Sequence, residues 1–516
     1  MRDPSERNDT SFAAYDLADQ LVGQELDPNS PNLPSHAHQE TFGYDAAGLR
    51  VAATDFGGKL TQASYDGDGR QIGQVDGSGG PAPITSAASF DPSGNLAGQT
   101  EQQGAATKGF SGSYNPADWP KGGTNDGLTT TATGSGNGDV LGQTILNGAG
   151  SIDYIPDAAG RDTMITVTAG GGAPQSSIMT FDNNNLTTGI ALPNGVQQAI
   201  GYDGASRLSS LTAQNAANPV LLNTSYQYGY DLLGLTSSIG TTALGGGQIV
   251  YVSQTLAHDA AGRLTAAGGF GFGGPVTTGN WSYDGEGNLT SATSNGVTTG
   301  YSYDPNNPHE LASTSTTGQP TVSYGYDGQG NATSISNGGS SARQLTYDAE
   351  NRTTSVTLGS SGAVAATVTM AYNAFGQRAS YTVLPQGAGQ PSLAETFQYR
   401  GDQLAQVAYS GTAVPTPYTD TYIYRQDGTP LELLRQQGGT TSRYWYLLDG
   451  RQNVVALTNA SGAVVDRYSY DLWGRPISIS ETVPQQLRYA GYWYDSETGW
   501  YWLSVRAYDP TLERFL

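Results

Sequence analysis

Few residues of this sequence have the types and spacing that metal binding needs. Asp66-Gly-Asp68-Gly69 begins like a calcium-binding loop, but the later ligands and the closing Glu of such a loop are missing, which favours an ordinary turn. His36 and His38 could place two imidazoles on one face of a strand. Their surroundings are rich in Pro and Ser and hold no third ligand, so we interpret them as a surface pair. The sequence predicts no metal site and no cofactor.

Motifs for nucleophilic catalysis and phosphate binding are also missing. The sequence has no Gly-x-Ser-x-Gly elbow and only four His. One of them, His258, stands at a repeated aromatic position, where a structural role is favoured over general-base chemistry. Gly268–Gly274 is Gly-rich, but neither a strand-then-helix context nor Lys-Ser/Thr follows, so it is predicted to be a loop between strands. Arg400-Gly401-Asp402 matches an integrin-binding tripeptide and is interpreted as another turn. We predict no catalytic residue and a protein that is not an enzyme.

The pattern that does recur is Tyr-Asp-x-x-Gly-(Asn/Arg)-Leu-Thr. Its clearest copies are Tyr283–Thr290 and His258–Thr265. Regular repetition of a short unit predicts a fold built by stacking that unit. Most neighbouring copies are 20 to 28 residues apart, and the first residues of the copies, degenerate ones included, are Tyr44, Tyr65, Phe90, Tyr114, Tyr154, Phe181, Tyr202, Tyr230, His258, Tyr283, Tyr303, Tyr326, Tyr347 and Tyr372.

Each copy is predicted to be a β-hairpin. Apolar and polar residues roughly alternate on both sides of the turn, the Asp carboxylate suits the first turn position, and Gly or Asn near the end supplies a positive φ. Stacked hairpins are expected to place the Tyr rings in ladders with ring-on-ring contacts. The residues predicted to form structural turns are Tyr44, Asp45, Gly48, Tyr283, Asp284, Gly287, Tyr326, Asp327, Gly330, Tyr470, Asp471, Gly474, Tyr494, Asp495, Gly499, Tyr508 and Asp509.

Two stretches depart from this pattern. The interval from Tyr114 to Tyr154 spans 40 residues and is rich in Gly, Thr, Asn and Ser between Gly122 and Gly142. That composition predicts a loop or insertion there and leaves room for one lost repeat. Ala13–Glu25 is the best candidate for a helix, although Tyr15-Asp16 also fits a degenerate repeat.

Composition favours an all-β, hollow or extended architecture over a packed globule. Gly contributes 71 of 516 residues, and the hydrophobic fraction is 36% with Tyr included, which is thin for a solid core. The net charge is −22, with Lys only at Lys59, Lys108 and Lys121, and this argues against nucleic-acid binding. The carboxylates could line an inner wall that holds a basic cargo, but the turn positions of the repeat account for many of them.

Targeting and redox signals are few. No cysteine is present, so the fold uses neither disulfides nor thiolate metal sites. Residues 1–20 lack the apolar segment of a signal peptide, and no apolar run approaches the length of a membrane helix. Export by a signal-independent machine, or origin from a longer precursor, is compatible with these features.

The C-terminal third is more aromatic and less Gly-rich. Its two most distinctive blocks are Tyr444–Pro476 and Leu487–Leu516. Together with the repeat they resemble the YD-repeat (RHS-repeat) family, and the C-terminal segment resembles its RHS-repeat-associated core. The resemblance covers roughly residues 41–516 and divides the chain into an N-terminal, partly irregular segment (1–40), a repeat shell (41–395) and a core-like C-terminal part (396–516).

The resemblance implies both a fold and a function. The fold is a hollow β-cocoon, a spiral of hairpins closed by the associated core. Bacterial members resemble containers for a toxic C-terminal domain, exported by type VI secretion, by Tc-type toxin complexes or by other routes. The animal teneurins use a similar shell for adhesion outside the cell.

We therefore expect a secreted, bacterial, non-enzymatic shell that carries a C-terminal toxin. Its expected partners are that cargo and a secretion apparatus or chaperone. An extracellular adhesin that binds a cell-surface glycan or receptor is the alternative. A hydrolase site assembled from Asp and Tyr of neighbouring repeats is a third hypothesis.

The sequence also departs from the family pattern. Members usually continue past Arg-Phe-Leu into an Asp-Pro-x-Gly segment, followed in many by self-cleavage and a variable toxin, whereas this sequence stops at Leu516. The aspartate pair associated with self-cleavage has no matching position, and Glu513 stands where Gly is usual. No catalytic residue is carried over, and the core is expected to be truncated before the self-cleavage segment.

Overall fold

The structure is a computed structural model. It describes residues 11–26, 39–55, 58–78, 83–103, 106–114, 120–125, 128–134, 140–145, 150–215, 223–245, 248–272, 276–337, 340–360, 363–386, 390–503 and 506–516. His36 and His38 lie outside the described residues, as does the end of the Gly-rich stretch after Phe272.

The described chain is built mainly from short strands. Forty of them form one antiparallel sheet in which each strand pairs with the next along the chain. The first twenty are β1 Ser11–Tyr15, β2 Leu21–Leu26, β3 Gln39–Tyr44, β4 Arg50–Thr54, β5 Leu60–Tyr65, β6 Gln71–Asp76, β7 Ile84–Phe90, β8 Leu96–Gln103, β9 Ala106–Tyr114, β10 Pro120–Asn125, β11 Leu128–Gly134, β12 Val140–Ile145, β13 Gly150–Pro156, β14 Asp162–Ala169, β15 Gln175–Phe181, β16 Thr187–Ala191, β17 Val196–Tyr202, β18 Leu208–Asn215, β19 Asn223–Tyr230 and β20 Thr236–Gly245.

The remaining strands of this sheet are β21 Gln248–His258, β22 Leu264–Phe272, β23 Gly279–Tyr283, β24 Leu289–Ser294, β25 Val297–Tyr303, β26 Leu311–Thr316, β27 Val322–Tyr326, β28 Ala332–Asn337, β29 Ser340–Tyr347, β30 Thr353–Ser360, β31 Ala363–Tyr372, β32 Arg378–Pro385, β33 Leu393–Arg400, β34 Gln403–Ser410, β35 Tyr418–Tyr424, β36 Pro430–Gln437, β37 Thr440–Leu448, β38 Val454–Thr458, β39 Val464–Tyr470 and β40 Pro476–Ser480. After a short 3-10 turn at Tyr489–Gly491, four strands form a second antiparallel sheet, which we call the closing sheet: β41 Trp493–Asp495, β42 Trp500–Leu503, β43 Arg506–Asp509 and β44 Arg514–Phe515.

The repeated Tyr lies opposite a bulge in the strand that follows its turn. At Tyr283 the pairing between β23 and β24 shifts by one residue, and the same shift recurs at Tyr44, Tyr326 and Tyr470. Such a bulge bends a strand and increases its twist. Because the bend recurs from hairpin to hairpin, the sequence repeat favours a sheet that coils.

Contacts between residues 222 to 290 positions apart show that the sheet forms a spiral. Side chains reach the preceding turn of the spiral rather than only the neighbouring hairpin. Hydrogen-bonded pairs of this kind include Gln329–Asp55, Lys59–Ala349, Gln99–Ala374, Gln426–Gly160, Arg443–Val167, Arg352–Glu101, Asn194–Thr458 and Gly450–Tyr228.

Later strands of the spiral are buried on both faces. Ile423 and Leu434 share a core with the strands of residues 150–215. Their neighbours in the chain, Tyr422 and Leu433, point to the other face and share a second core with the C-terminal segment. Apolar runs of this kind are typical of strands that are covered on both sides. We call β13–β22 the outer layer and β34–β40 the inner layer.

The large sheet, which we call the wall, curves around the closing sheet. Trp493 of β41 contacts the ring of Tyr422 on β35 at a centroid distance of 6.1 Å, and Glu513, just before β44, accepts a hydrogen bond from Trp281 on β23. In a flat sheet β23 and β35 would be about 60 Å apart, whereas the four strands of the closing sheet measure only about 15 Å across. The closing sheet therefore lies in a concavity of the wall.

Four sequence predictions are wrong. Gly268–Phe272, predicted to be part of a loop between strands, are the last residues of β22 and pair with β21. No helix forms at Ala13–Glu25, because β1 and β2 pair as a hairpin whose turn begins at Asp16, as the degenerate-repeat interpretation required. The described part of 122–142 is not a loop, since β10, β11 and the start of β12 pair with their neighbours there. The alternative of one lost repeat agrees with the structure, because β11 and β12 add one antiparallel pair between the hairpins of Tyr114 and Tyr154. Tyr154 is not the first residue of a repeat copy, because β13 continues to Pro156 and the turn begins at Asp157.

The predicted domain boundary at residues 395 and 396 remains a prediction. Strand β33 spans that position and pairs with β32 on one side and β34 on the other. The change from the large sheet to the closing sheet occurs between β40 and β41.

Candidate functional site

The repeat turns are built around the Asp carboxylate. Asp284 Oδ1 accepts hydrogen bonds from the backbone N–H of Glu286 at 3.0 Å and of Asn288 at 2.8 Å, and Oδ2 accepts one from Asn288 Nδ2 at 2.9 Å. At Asp203, hydrogen bonds from the side chain and then the backbone of Arg207 hold the pKa of the carboxyl below its ordinary value. The carboxylate thus accepts hydrogen bonds from backbone N–H groups that have no backbone acceptor in a tight turn. Because its oxygens are occupied in this way, it is not free to act as a base.

The repeated Tyr links each hairpin to the one before it. The Tyr283 hydroxyl donates to the carbonyl oxygen of Leu264 at 2.9 Å, and the Tyr326 hydroxyl donates to that of Leu311 at 3.1 Å. In each case the acceptor is the first residue of the strand that follows the preceding turn. The rings are therefore half-buried tethers between repeats as well as apolar filling.

An Arg at the end of many turns links its hairpin to the one after it. Arg263 Nε donates to Asp259 Oδ2 at 2.7 Å, and the same guanidinium lies 4.7 Å from the centroid of the Tyr283 ring in the next repeat. A cation–π contact of this kind contributes about 0.5–1 kcal/mol at exposed sites. Arg207 over Tyr230, Arg161 over Phe181 and Arg352 over Tyr372 repeat the arrangement.

The expected ladder of ring-on-ring contacts is wrong in this form. Where described repeat rings contact another ring, the partner belongs to the C-terminal segment: Tyr372 contacts Trp502 and Tyr470 contacts Tyr489. Successive repeat rings are joined instead by Arg side chains and by Tyr hydroxyls. The repeat places one ring on every second strand, and strands about 4.8 Å apart then separate successive rings by about 10 Å, which is too wide for direct stacking.

The structure places the first twelve predicted turn residues at hairpin turns of the large sheet. The Asp of each set accepts backbone hydrogen bonds two and four residues on. The Gly of each set has a positive φ between +82° and +90°. These twelve are Tyr44, Asp45, Gly48, Tyr283, Asp284, Gly287, Tyr326, Asp327, Gly330, Tyr470, Asp471 and Gly474.

The predicted turn residues of the closing sheet behave differently. Asp509 accepts backbone hydrogen bonds from the turn after Tyr508 and also one from Trp500 Nε1 at 2.9 Å. Gly499 ends the turn between β41 and β42, with its N–H donating to the carbonyl oxygen of Asp495. Asp495 follows Tyr494 at the start of that turn, but its carboxylate points to a distant partner.

That partner is Arg378 of the inner face of the wall. The Arg378 guanidinium donates to both oxygens of Asp495, at 2.7 and 2.9 Å, and the two side chains are 1% and 4% exposed. The rings of Phe397, Tyr381 and Trp502 lie 4.7 to 5.2 Å from the guanidinium. Burial raises the pKa of Asp495 and Arg378 opposes that shift. No sequence signal marks Arg378, which stands one position beyond the repeat's Asn/Arg.

Further contacts fix the closing sheet to the wall near its other end. The Tyr501 hydroxyl donates to the carbonyl oxygen of Gly474 at 2.8 Å, and the Tyr508 hydroxyl donates to that of Trp473 at 2.9 Å. These aromatic side chains tether the closing sheet to a turn of the wall as Tyr tethers repeats to each other. The arrangement is a structural closure with few groups available for chemistry.

Glu513 occupies the position where the resemblance leads one to expect Gly. It has a positive φ of +59°, and its carboxylate accepts a hydrogen bond from Trp281 Nε1 at 2.8 Å. Burial raises the pKa of Glu513 to about 8, with the Trp281 hydrogen bond opposing. A strained backbone and a buried carboxyl are thus placed together where the chain contacts β23.

The remaining candidates are structural where the chain is described. Asp66 Oδ1 accepts from the turn N–H of Asp68, and Oδ2 binds Arg70 Nε at 2.7 Å. Arg400-Gly401-Asp402 forms the turn between β33 and β34. His258 ends β21 with Nδ1 3.7 Å from Asp231 Oδ2. Within the described ranges, no cluster of three or more His, Asp or Glu has a metal-binding arrangement.

The part of the chain that the structure describes contains no helix of the length and hydropathy needed to cross a bilayer.

Known proteins resemble this chain in part. No family model matches it. The tRNA3(Ser)-specific nuclease WapA of Bacillus spizizenii is 32% identical over 174 residues, which are 33% of this chain and 7% of that protein. The tRNA nuclease WapA of Bacillus subtilis is 31% identical over 174 residues, with the same coverage. The match thus spans only a small share of these curated relatives.

Solved structures match over nearly the whole chain. The crystal structure of TcdB2-TccC3-TEV has a TM-score of 0.66 at 14% identity and covers 98% of this chain and 28% of that chain. In its repeat and its fold, the chain resembles RHS/YD-repeat proteins. The Photorhabdus luminescens Tc holotoxin pore also has a TM-score of 0.66, at 15% identity, with the same coverage. The predicted RHS/YD fold class, an all-β spiral of hairpins of the cocoon type, is confirmed.

Proposed function

We propose that this RHS/YD-repeat chain is a non-enzymatic shell that encapsulates or carries a C-terminal cargo, a polymorphic toxin delivered by a bacterial secretion system. The observation that carries the proposal is the closing sheet in the concavity of the wall, held there by the buried Arg378–Asp495 pair. A wall that curves around its own C-terminal segment is suited to enclosing a polypeptide joined to that segment.

The names of similar proteins support the toxin part of the proposal. The WapA relatives are tRNA nucleases, and one of the solved neighbours is a Tc holotoxin pore. This chain spans only a small part of the nucleases, so the cargo and its target are proposals for the complete gene product. Secretion from a bacterial cell and contact with a secretion apparatus or chaperone follow from the same proposal.

The geometry supports a structural role over a hydrolase built from repeat residues. Turn carboxylates such as Asp284 already accept hydrogen bonds from the backbone and from a neighbouring side chain. The repeat hydroxyls such as Tyr283 donate to main-chain carbonyl oxygens. Groups bound in this way lack the freedom that a general base or nucleophile needs.

Limited proteolysis of the complete natural gene product tests the proposal. The cargo should be protected in the wild-type protein and in the surface variant Arg263→Met, and it should be cleaved faster in Arg378→Met, which loosens the closing sheet. Cargo that is digested as fast in the wild type as when it is expressed alone would contradict encapsulation. Cryo-electron microscopy of the same protein should show density inside a β wall.

A natural gene product without a cargo segment, together with specific glycan binding by the chain, would instead support the adhesin alternative.

A further inference from the structure

A cavity separates the outer and inner layers at one place. Its volume is about 300 Å³, and it lies between β18–β21 of the outer layer and β37–β40 of the inner layer. Leu211, Ile239 and Val252 line one side, and Leu447 and Ala456 line the other. Farther along the same interface Ile165, Met179 and Trp445 fill the space between layers, so the cavity is a local gap in an otherwise packed interface.

Arg467 faces this gap from the inner layer. It pairs in register with Ala456 across β38 and β39, and paired residues of antiparallel strands share a face of the sheet. Ala456 belongs to the core that the two layers share. Arg467 therefore points toward the outer layer, where Tyr226 lies, and burial lowers the pKa of Arg467.

Two guanidinium groups line the cavity without a partner. In the described part of the chain, neither Arg467 nor Arg451 makes a side-chain hydrogen bond or ion pair, and Arg451 Nε is buried without an acceptor. Asp449 is the one carboxylate that lines the cavity. Its oxygens are occupied by the backbone N–H of Arg451 and by the N–H and side chain of Asn453.

The cavity thus combines apolar side chains with two guanidinium groups and one carboxylate, which leaves a net charge of +1. Partly buried cations are costly unless an anion pairs with them. Ligand sites in proteins are typically concave and mostly apolar, with a few polar groups that fix orientation, and the volume is at the lower end of their range of about 300–1,000 Å³. Elsewhere in this protein, buried Arg side chains such as Arg378 and Arg435 have a carboxylate partner.

We propose that this cavity binds a monoanionic amphiphile, a medium-chain carboxylate. Arg467 holds its carboxylate, Arg451 is the second cation of the site, and the hydrocarbon chain lies against Leu211, Ile239 and Val252. The ligand fills the gap between the layers and neutralises the Arg side chains, so it stabilises the contact between two turns of the spiral.

Isothermal titration calorimetry of the full chain with decanoate tests the proposal. Wild-type protein should bind one decanoate, and Arg467→Met should weaken binding at least tenfold because it removes a charged hydrogen-bond donor. Arg207→Met, which removes a surface Arg paired with Asp203, should bind like the wild type. Decyltrimethylammonium, with the same chain and the opposite charge, should not bind.

A second variant keeps the test decisive if Arg467→Met fails to fold. Val252→Phe fills the cavity without changing a charge, and it should abolish decanoate binding while the melting temperature stays equal or rises. No binding of decanoate by the wild type, equal affinity of wild type and Val252→Phe, or equal affinity for the cationic amphiphile would overturn the proposal. Binding to phosphatidylglycerol vesicles without binding to free decanoate would also overturn it, in favour of a membrane contact.

Discussion

Two Asp–Arg pairs in this protein have the same contact distance and opposite surroundings. Arg263–Asp259 closes a repeat turn with an N–O distance of 2.7 Å and side chains 35% and 24% exposed. Arg378–Asp495 joins the wall to the closing sheet at 2.7 Å with side chains 1% and 4% exposed. The first pair joins residues four positions apart, and the second joins residues 117 apart. The same chemistry thus serves local geometry in one region and long-range closure in the other.

The exposure of each ion pair to solvent determines how much the pair contributes to stability. Exposed pairs contribute little, because water screens them and side-chain entropy opposes them. A buried pair contributes little net energy when both partners are present, but removal of one partner leaves an uncompensated charge. The closing sheet is therefore expected to be sensitive to single substitutions that the repeat turns tolerate.

The largest contrast should come from the two Arg residues. Arg378→Met leaves Asp495 buried and unpaired, and we expect it to lower the free energy of unfolding of the closing sheet by about 3–5 kcal/mol. Arg263→Met should cost about 0–1 kcal/mol. Hydrogen exchange of β41–β44 and of the turn after His258 measures the two effects. Equal losses at both sites would show that burial does not separate the regions.

Two equivalent glycines give the next contrast. Gly287 and Gly474 both have φ of +90°, so Ala strains either backbone by about 1–2 kcal/mol. A Cβ on Gly474 would also lie 2.6 Å from two ring carbons of Tyr489, and overpacking adds about 1–3 kcal/mol. Gly474→Ala should therefore destabilise the protein more than Gly287→Ala in urea unfolding. Equal urea midpoints for Gly474→Ala and Gly287→Ala would refute this ranking.

Raising the pH should weaken the closing region through Glu513. Burial raises the pKa of this group from 4.5 to about 8, so the folded state retains a proton that the unfolded state releases. The free energy of unfolding falls as pH rises between these values and levels off above the upper one, by an amount of the order of a few kcal/mol. Asp471 and Arg475 also act on this group.

Substitution by an amide isolates this effect. Glu513→Gln keeps an acceptor for Trp281 and removes the charge, so its unfolding free energy should depend less on pH than that of the wild type. Glu286→Gln, an exposed turn residue, is the matched control and should leave the profile unchanged. Chemical unfolding across this pH range is the measurement, and an unchanged profile in Glu513→Gln would remove the Glu513 carboxyl as the cause.

The smallest effect is expected for a repeat tether. Tyr283→Phe removes the hydroxyl that donates to Leu264 and should cost about 0.5–1.5 kcal/mol, seen as faster hydrogen exchange in β22–β24. Tyr251→Phe removes an exposed hydroxyl on β21 and should leave exchange unchanged. No difference between the two variants would mean that the tether contributes nothing.

Local features of the fold were predictable from the sequence, because their causes lie within a few residues. The Asp that caps a turn and the Gly that permits a positive φ stand at fixed offsets, so the hairpins follow from the pattern. The helix predicted at Ala13–Glu25 failed because pairing of β1 with β2 outweighs a weak propensity. The sequence prediction placed this repeat at Tyr154 because Pro156, and not an aromatic residue, stands directly before the turn.

The closure could not be predicted, because its contacts join residues far apart in the chain. Trp281 and Glu513 are separated by 232 residues, and neither stands in a motif that indicates the other as its partner. The Tyr tethers recur at many repeats, but the periodic pattern shows only the ring and not the acceptor of its hydroxyl. The family resemblance predicted that the C-terminal segment closes the shell, and the structure shows the side chains that hold it.

Sequential pairing of the forty strands sets the order in which this protein can assemble during synthesis. Every ladder of the large sheet joins neighbours in the chain, so each hairpin can form soon after its residues emerge. Contacts between spiral turns must wait for partners 222 to 290 residues further on. The closing sheet follows the large sheet in the chain, so it can form only after the strands of that sheet have been synthesised. A defect in residues 493–515 would therefore leave complete ladders around an open concavity.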